Sequence, residues 1–359
     1  MTAVHSPLSS GWTARRRFAD RPPEERNLIR DQVRLQVATP TGLFHARFAD
    51  LADFLTRGDV LVVNTSATVP GQLAGRSSIR GAVVVHIAAA PDENSRVVEL
   101  RSDPDASTPI LDGQPGELIH CAGDVRLRLK EPYPARGSSP SGQGNRLWRA
   151  EPNDTEGLAA ITARYGRPIS YGYLAQRYGL DAYQTVFGRD RGSAEMPSAG
   201  RPFTTALVTE LVTRGILFAP VLLHTGVSSQ EAGESPLPER FAVSEQTARL
   251  VNTAKATGGR IIAVGTSATR AIESATGTDR QVSAAHGWTG LVISPQRGVR
   301  VVDSLITGWH DPEASHLMLV ESVAGTGLTR AAYDTAIEND YLWHEFGDSC
   351  LFLSARESQ

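Results

Sequence analysis

PFTTALVTELVTRGILFAPVLLH, Pro202 to His224, reads as a helix handing over to a buried strand. Phe203, Leu207 and Leu211 recur on one helical face, Gly215 stops the helix, and an unbroken apolar run follows. The same unit repeats downstream. Ser244 caps SEQTARLVNTAKATG, which ends at Gly258 and leads into the strand RIIAVG; Thr266 or Ser267 then caps TSATRAIES. Upstream, ARFADLADFLTRGDVLVVN gives a short amphipathic helix through Phe48, Leu51, Phe54 and Leu55, ending at Gly58 before the strand Val60 to Val63. Alternation of this kind predicts an α/β fold with a mostly parallel sheet covered by helices.

Between these pieces the period changes. From about Ile79 to Ala160, short alternating runs (GAVVVHIAAA, RVVELR, GELIHC, DVRLRLK, NRLWRAE) are separated by Asp, Gly and Pro, which predicts a small all-β barrel. Thr65 to Gly75 reads as a turn-rich link, and Glu131 to Asn145 as a mobile Pro/Gly/Ser loop. The expected layout is a discontinuous α/β domain, residues 1–75 and 161–359, with a barrel domain inserted at 76–160.

A chain of 359 residues suits two domains better than one. It has no apolar run long enough to span a membrane, and its first twenty residues lack the apolar core of a secretion signal. A formal net charge of −3 supplies no global field for nucleic acid, so RNA contact would need a local patch, with Arg126, Arg128, Arg164 and Arg167 as candidates. Cys121 and Cys350 are far apart and form no metal-ligand or redox spacing, which fits a reduced cytoplasm. No HxxxH, HExxH or cysteine cluster occurs, so no metal is expected, and no GxSxG elbow for a hydrolase serine.

Candidate chemistry lies where apolar strands end. VVDSLITGWHDPEASHLMLV, Val301 to Val320, starts as a strand, breaks at Thr307-Gly308-Trp309-His310, and opens a helix at Asp311-Pro312. Gly308 lets a ligand approach the backbone, and a helix start offers unpaired N–H groups. The loop GSAEMPSAGRPFT (Gly192 to Thr204), LLHTGVSS with His224, IIAVGTSATR and the terminal FGD (Phe346 to Asp348) have the same placement, which in an open α/β sheet faces the ligand crevice. Gly265, Thr266 and Ser267 form neither a P-loop nor a dinucleotide fingerprint, and ordinary N-capping explains them equally well. Arg270, one turn on, either serves the site or solvates the surface. His224 and His310 are the candidates for proton transfer, because imidazole titrates nearest neutral pH.

Taken together, these segments resemble the S-adenosylmethionine:tRNA ribosyltransferase-isomerase family, which makes epoxyqueuosine. The resemblance runs from Phe18 to Leu353. It is carried by DRPPEERNLIR (Asp20–Arg30), RFADLADFLTRGDVLVVNTSATVPGQLAG (Arg47–Gly75), YQTVFGRDRGSAEMPSAGRPFT (Tyr183–Thr204), LLHTG, RIIAVGTSATRAIES, VVDSLITGWHDPEASHLMLV and FGDSCLFL. It implies an α/β domain with an inserted barrel, S-adenosylmethionine as co-substrate, tRNA as partner and no metal. It further implies removal of a 5′ proton, loss of adenine, transfer of the ribosyl unit to the aminomethyl group of a 7-deazaguanine in tRNA, and rearrangement with loss of methionine. On this resemblance His310, His224 and Asp303 would handle protons. Pro197, Ala199, Gly200, Phe203, Gly265, Thr266, Ser267, Arg270, Thr307, Gly308, Trp309 and Asp348 would bind substrate, with Trp309 facing the sulfonium or adenine.

The chain departs from the family's pattern at polar positions. PTAGLHFT is PSAGRPFT here, so Arg201-Pro202 replaces leucine and histidine; LHVGxGTF is LHTGVSS, and of the following HxMHxE stretch only Glu239 remains. TNFHLPxSTLLMLV has become TGWHDPEASHLMLV, and SYGDAML has become EFGDSCL. Two alternatives therefore stay open: the same donor with a different, small-molecule acceptor, and a nucleoside- or RNA-binding relative without turnover.

Overall fold

The computed structural model describes residues 17–136, 142–171, 173–227, 234–311 and 316–354. Its main sheet has nine strands in the order Ala285–Thr289, Glu239–Val243, Leu217–Leu223, Val60–Asn64, Ile261–Val264, Ser304–Gly308, Ser349–Phe352, Arg34–Thr39, Gly42–Arg47. The four strands from Leu217–Leu223 to Ser304–Gly308 are mutually parallel, and helices cover both faces. Val60 to Val63 and Ile261 to Val264 are buried throughout, as apolar strands covered on both sides should be.

The expectation of a mostly parallel sheet needs correction: the sheet is mixed. Arg34–Thr39 and Gly42–Arg47 form a tight hairpin and must run antiparallel. Glu239–Val243 is antiparallel to both neighbours, and Ser349–Phe352 runs against Ser304–Gly308. Hydrophobic runs identify strands but carry no sign of their direction.

Local detail follows side-chain chemistry. Thr204 Oγ1 accepts from the Leu207 N–H at 3.1 Å and starts the helix Thr205–Thr213, whose Leu207 and Leu211 are buried. Phe203 packs edge-on to Phe48 with ring centroids 5.0 Å apart. Ser244 Oγ accepts from the Thr247 N–H at 3.1 Å and caps Glu245–Ala256. Two expectations change. The turn around Leu51 is a 3-10 helix, Phe48–Asp53, and the helix Gly265–Ser274 begins directly after strand residue Val264 with no side-chain cap. The strand before Trp309 also starts later than the apolar run suggests, and takes in Thr307 and Gly308.

Six strands close into the barrel: Gln72–Ser77, Gly81–Ala89, Arg96–Ser102, Leu118–His120, Arg126–Tyr133 and Leu147–Pro152. The segment read as a link is therefore partly strand. Ser66–Thr68 pairs with Asp190–Ser193, and Gln72 already belongs to the barrel. Glu131 to Tyr133, read as loop, end a barrel strand, while residues 137–141 lie outside the described residues.

Alternation along Arg96–Ser102 decides how the barrel meets the sheet. Val98 and Leu100 fill the barrel core, whereas Val97 packs outside it with Ile169, Ala194 and Val227. Glu99 and Arg101 share that outer face and are buried with it. Glu99 meets Arg101 Nη1 at 2.6 Å, Arg146 Nη1 at 3.1 Å and His86 Nδ1 at 3.2 Å. Burial pushes the Glu99 carboxyl up, but the His86 hydrogen bond and the Arg146 and Arg101 charges outweigh it and bring it down to about 2. Because the folded value lies below the ordinary 4.5, this carboxylate stabilises the fold above pH 4.5, and that contribution is lost as pH falls toward 2. Glu99→Gln should abolish this acid dependence and cost about 3–5 kcal/mol by stranding buried arginine charge. Denaturant unfolding from pH 3 to pH 7 measures both; unchanged acid sensitivity would refute the assignment.

Candidate active site

A cavity of about 620 Å³ opens at the carboxyl ends of Ile261–Val264 and Ser304–Gly308, with Arg101 and Ser107 of the barrel in its wall. It brings together Pro197, Ala199, Gly265, Thr266, Ser267, Arg270, Thr307, Gly308, Trp309 and His310 among the residues expected from the sequence.

Gly265 is required twice over. Its φ is +91°, and a Cβ there would lie 3.1 Å from the Ala199 side chain. No side chain caps this helix, and its first turn, Gly265 to Ser267, lines the cavity. Asn64, not singled out in the sequence, splices strand to helix. Its Nδ2 donates to Leu223 O at 2.8 Å and to Ser267 Oγ at 3.2 Å, and its Oδ1 accepts from the Leu223 N–H at 3.0 Å.

His310 Nε2 lies 2.9 Å from Thr307 Oγ1, and its ring stacks on His316 with centroids 4.7 Å apart. Burial, with His316 and His344 adding, holds His310 well below the usual imidazole range. Burial also takes His316 down to about 4. Both rings are neutral at pH 7 and accept protons rather than supply them.

Arg270 is no surface cation. It is buried, pairs with Glu239, and donates to the carbonyls of Leu291 (2.8 Å), Leu237 (2.6 Å) and Thr289 (3.1 Å). With its donors engaged it shapes the cavity wall. Trp309 also differs from expectation. Its indole is packed by Tyr333, Tyr341 and Trp343 at centroid distances of 5.1, 5.7 and 6.2 Å, so its faces belong to the core and give no open platform for a sulfonium.

Five expected residues are not in the wall. Asp303 precedes the strand at its opposite end, bound to Lys255 Nζ at 2.6 Å and the Ile261 N–H at 2.9 Å, away from the cavity. His224 lies outside the cavity, with Nδ1 2.7 Å from Ser66 Oγ, and that hydroxyl is 2.6 Å from Ser193 Oγ. Asp348 accepts from the Arg34 and Leu342 N–H groups at 2.9 and 2.8 Å and ties strands together. Phe203 is core, and Gly200 packs by Thr185 and Phe187. Ser228 and Ser229 of LHTGVSS, and Pro312 at the expected helix start, lie outside the described residues.

The cavity also holds Glu239, the residue left of the HxMHxE stretch, and groups that sequence reasoning missed: Tyr171, Tyr173, Glu195, Glu345 and His344. Tyr171 donates to Glu195, and Tyr173 donates to Glu345 at 3.3 Å. Burial, reinforced by the charge of Glu195, pushes the Glu345 carboxyl up to about 8 against the pull of Tyr173 and Arg201. Burial raises Glu239 as well, with Arg270 opposing. Glu195 and Glu345 sit within or beside quoted segments, yet nothing in their spacing joins them; only the fold does.

The queuosine biosynthesis protein family model matches residues 14–352, and the chain belongs to that family. S-adenosylmethionine:tRNA ribosyltransferase-isomerase of Moorella thermoacetica is 34% identical over 335 residues, covering 90% of this chain and 94% of that protein. The protein of the same name from Hyphomonas neptunium is 33% identical over 337 residues, covering 90% and 93%. A crystal structure of S-adenosylmethionine tRNA ribosyltransferase from Thermotoga maritima overlaps at a TM-score of 0.49 and 23% identity, covering 94% of this chain and 96% of that one, a likeness too weak to argue from.

Gly265→Ala should cost about 1–2 kcal/mol through its left-handed backbone alone, with crowding against Ala199 added. Thermal unfolding tests this; an unshifted midpoint would show that the turn tolerates a side chain.

Proposed function

We propose that this chain transfers the ribosyl moiety of S-adenosylmethionine to 7-aminomethyl-7-deazaguanine in tRNA and isomerises it to epoxyqueuosine, with release of adenine and methionine. The observation that carries this reading is one cavity at the strand ends, built from the same segments through which the chain resembles its family. The uncapped helix start at Gly265, Thr266 and Ser267 suits a carboxylate or ribose hydroxyls of the donor. Carboxylates in the wall suit its cationic sulfonium. His310, neutral and fixed by Thr307, is positioned to accept the 5′ proton. Enclosure orients donor and acceptor together, an effect that can contribute about 7–11 kcal/mol in favourable cases.

A second reading keeps the donor and changes the acceptor to a small molecule. Pro202 favours it by standing where the family pattern has histidine, and so does the net charge of −3. Arg126, Arg128, Arg164 and Arg167 are exposed, which suits phosphate contact, but none lines the cavity. The setting proposed is the cytoplasm; among the described residues no helix is long and apolar enough to cross a membrane.

Incubation with S-adenosylmethionine and candidate acceptors, with free adenine followed by chromatography, tests the reading. Adenine should appear only when a competent acceptor is present. His310→Ala should abolish its release while circular dichroism stays unchanged; full activity would remove His310 from the chemistry. Donor uptake without adenine under any acceptor would leave only a binding protein.

A further inference from the structure

Trp288 stands on the outermost strand of the main sheet, 44% open to solvent, and does not line the cavity. Strand register sets what lies beside it. Arg240 is directly opposite Trp288, and the His224 N–H on the next strand donates to the Arg240 carbonyl at 2.9 Å. Trp288, Arg240 and His224 thus form one row across three strands. His286, two residues before Trp288, is exposed on the same face. Arg240 is exposed too, and among the described residues its side chain makes no hydrogen bond or ion pair.

Beyond His224 the row meets the strand Asp190–Ser193. A Cβ on Gly192 would come 2.6 Å from the His224 ring, and the exposed Arg189 and Arg191 flank Asp190 there. Asp190 accepts from the Thr65 hydroxyl at 3.2 Å and is the acid set among these three arginines. Burial and the Arg240 charge hold the His224 imidazole below its usual range against Asp190, so it adds no charge at pH 7. The row also borders the cavity: Thr225 follows His224, Glu239 precedes Arg240, and both line the wall.

An exposed indole with a guanidinium beside it, and two further cations along the same line, match an unpaired base and the phosphates that follow it. A protein partner or a second copy would call for a broader apolar patch, whereas here the ring stands among polar groups. We propose that this row holds the single-stranded loop of the RNA substrate at the cavity mouth, with Trp288 stacking a base beside the one to be modified and the three arginines on its phosphates. This rests on the tRNA reading above. A net charge of −3 is no obstacle, because charges elsewhere on the surface are screened within about 8 Å at physiological salt. Paired RNA offers the indole no unstacked base, so the loop is the form recognised.

Fluorescence anisotropy with a labelled anticodon stem-loop carrying 7-aminomethyl-7-deazaguanine, and with a fully paired duplex of equal length, tests the assignment. The wild-type chain should bind the stem-loop about tenfold more tightly than the duplex. Trp288→Ala should weaken stem-loop binding by about tenfold or more, and Trp288→Phe, which keeps a ring, by less than about threefold. Arg240→Ala should weaken it as well and lower the slope of log affinity against log salt by about one. Both side chains are exposed, so circular dichroism should not change. Stem-loop binding that survives both alanine variants, or equals duplex binding, overturns the proposal and leaves the tRNA reading standing. A wild-type dimer in sedimentation that Trp288→Ala dissolves would assign the row to a second copy and overturn it too. If the wild-type chain binds no stem-loop at all, the tRNA reading itself fails and this surface with it.

Discussion

Burying the outer face of one barrel strand is the constraint from which the cavity follows. Arg96–Ser102 turns Val97, Glu99 and Arg101 toward the sheet, and a carboxylate cannot be buried there without partners. Arg101, Arg146 and His86 meet that demand, and Arg146 in turn holds Glu234 at 2.7 Å. Once fixed, the Arg101 guanidinium sits 5.0 Å over the ring of Tyr171, whose hydroxyl donates to Glu195. A charge placed to join two units thereby orients a carboxylate in the cavity wall.

The enclosure this creates sets the proton inventory. In water the imidazoles of His310 and His316 would titrate near neutrality and the carboxyl of Glu345 far below it. Burial reverses that order: the imidazoles stay neutral and the carboxyl retains a proton. At neutral pH the imidazoles can therefore accept a proton and the Glu345 carboxyl can give one.

Much of the fold was legible because hydrophobic period and caps are local signals. Thr204 and Ser244 cap as their positions suggest, and the barrel announces itself through alternating strands. Strand direction was not legible, since Ser349–Phe352 looks the same read either way until it pairs with Arg34–Thr39. The glycine-marked strand ends were also found, for the local reason that Gly265 must adopt a left-handed backbone. Asp303, Asp348 and His224 stand outside the cavity, because a polar residue beside an apolar run is readily taken up by backbone or hydroxyl partners. Glu195 and Glu345 were missed for the opposite reason: 150 residues of chain separate them, and their meeting is a property of the closed fold.

That separation bears on how such a site diverges. The turn at Gly265 is constrained by backbone conformation and by Ala199 on the facing loop, so most substitutions there would disturb the sheet itself. Glu345 and His316 are constrained differently, for each lines the cavity beside a scaffold whose packing is completed by Trp343, Phe346 and Leu317. Replacing a small or apolar side chain at either position changes what the cavity contacts without changing what the core buries. The turn at Gly265 is thus held by the geometry of the fold, whereas the wall at Glu345 and His316 carries no such backbone constraint.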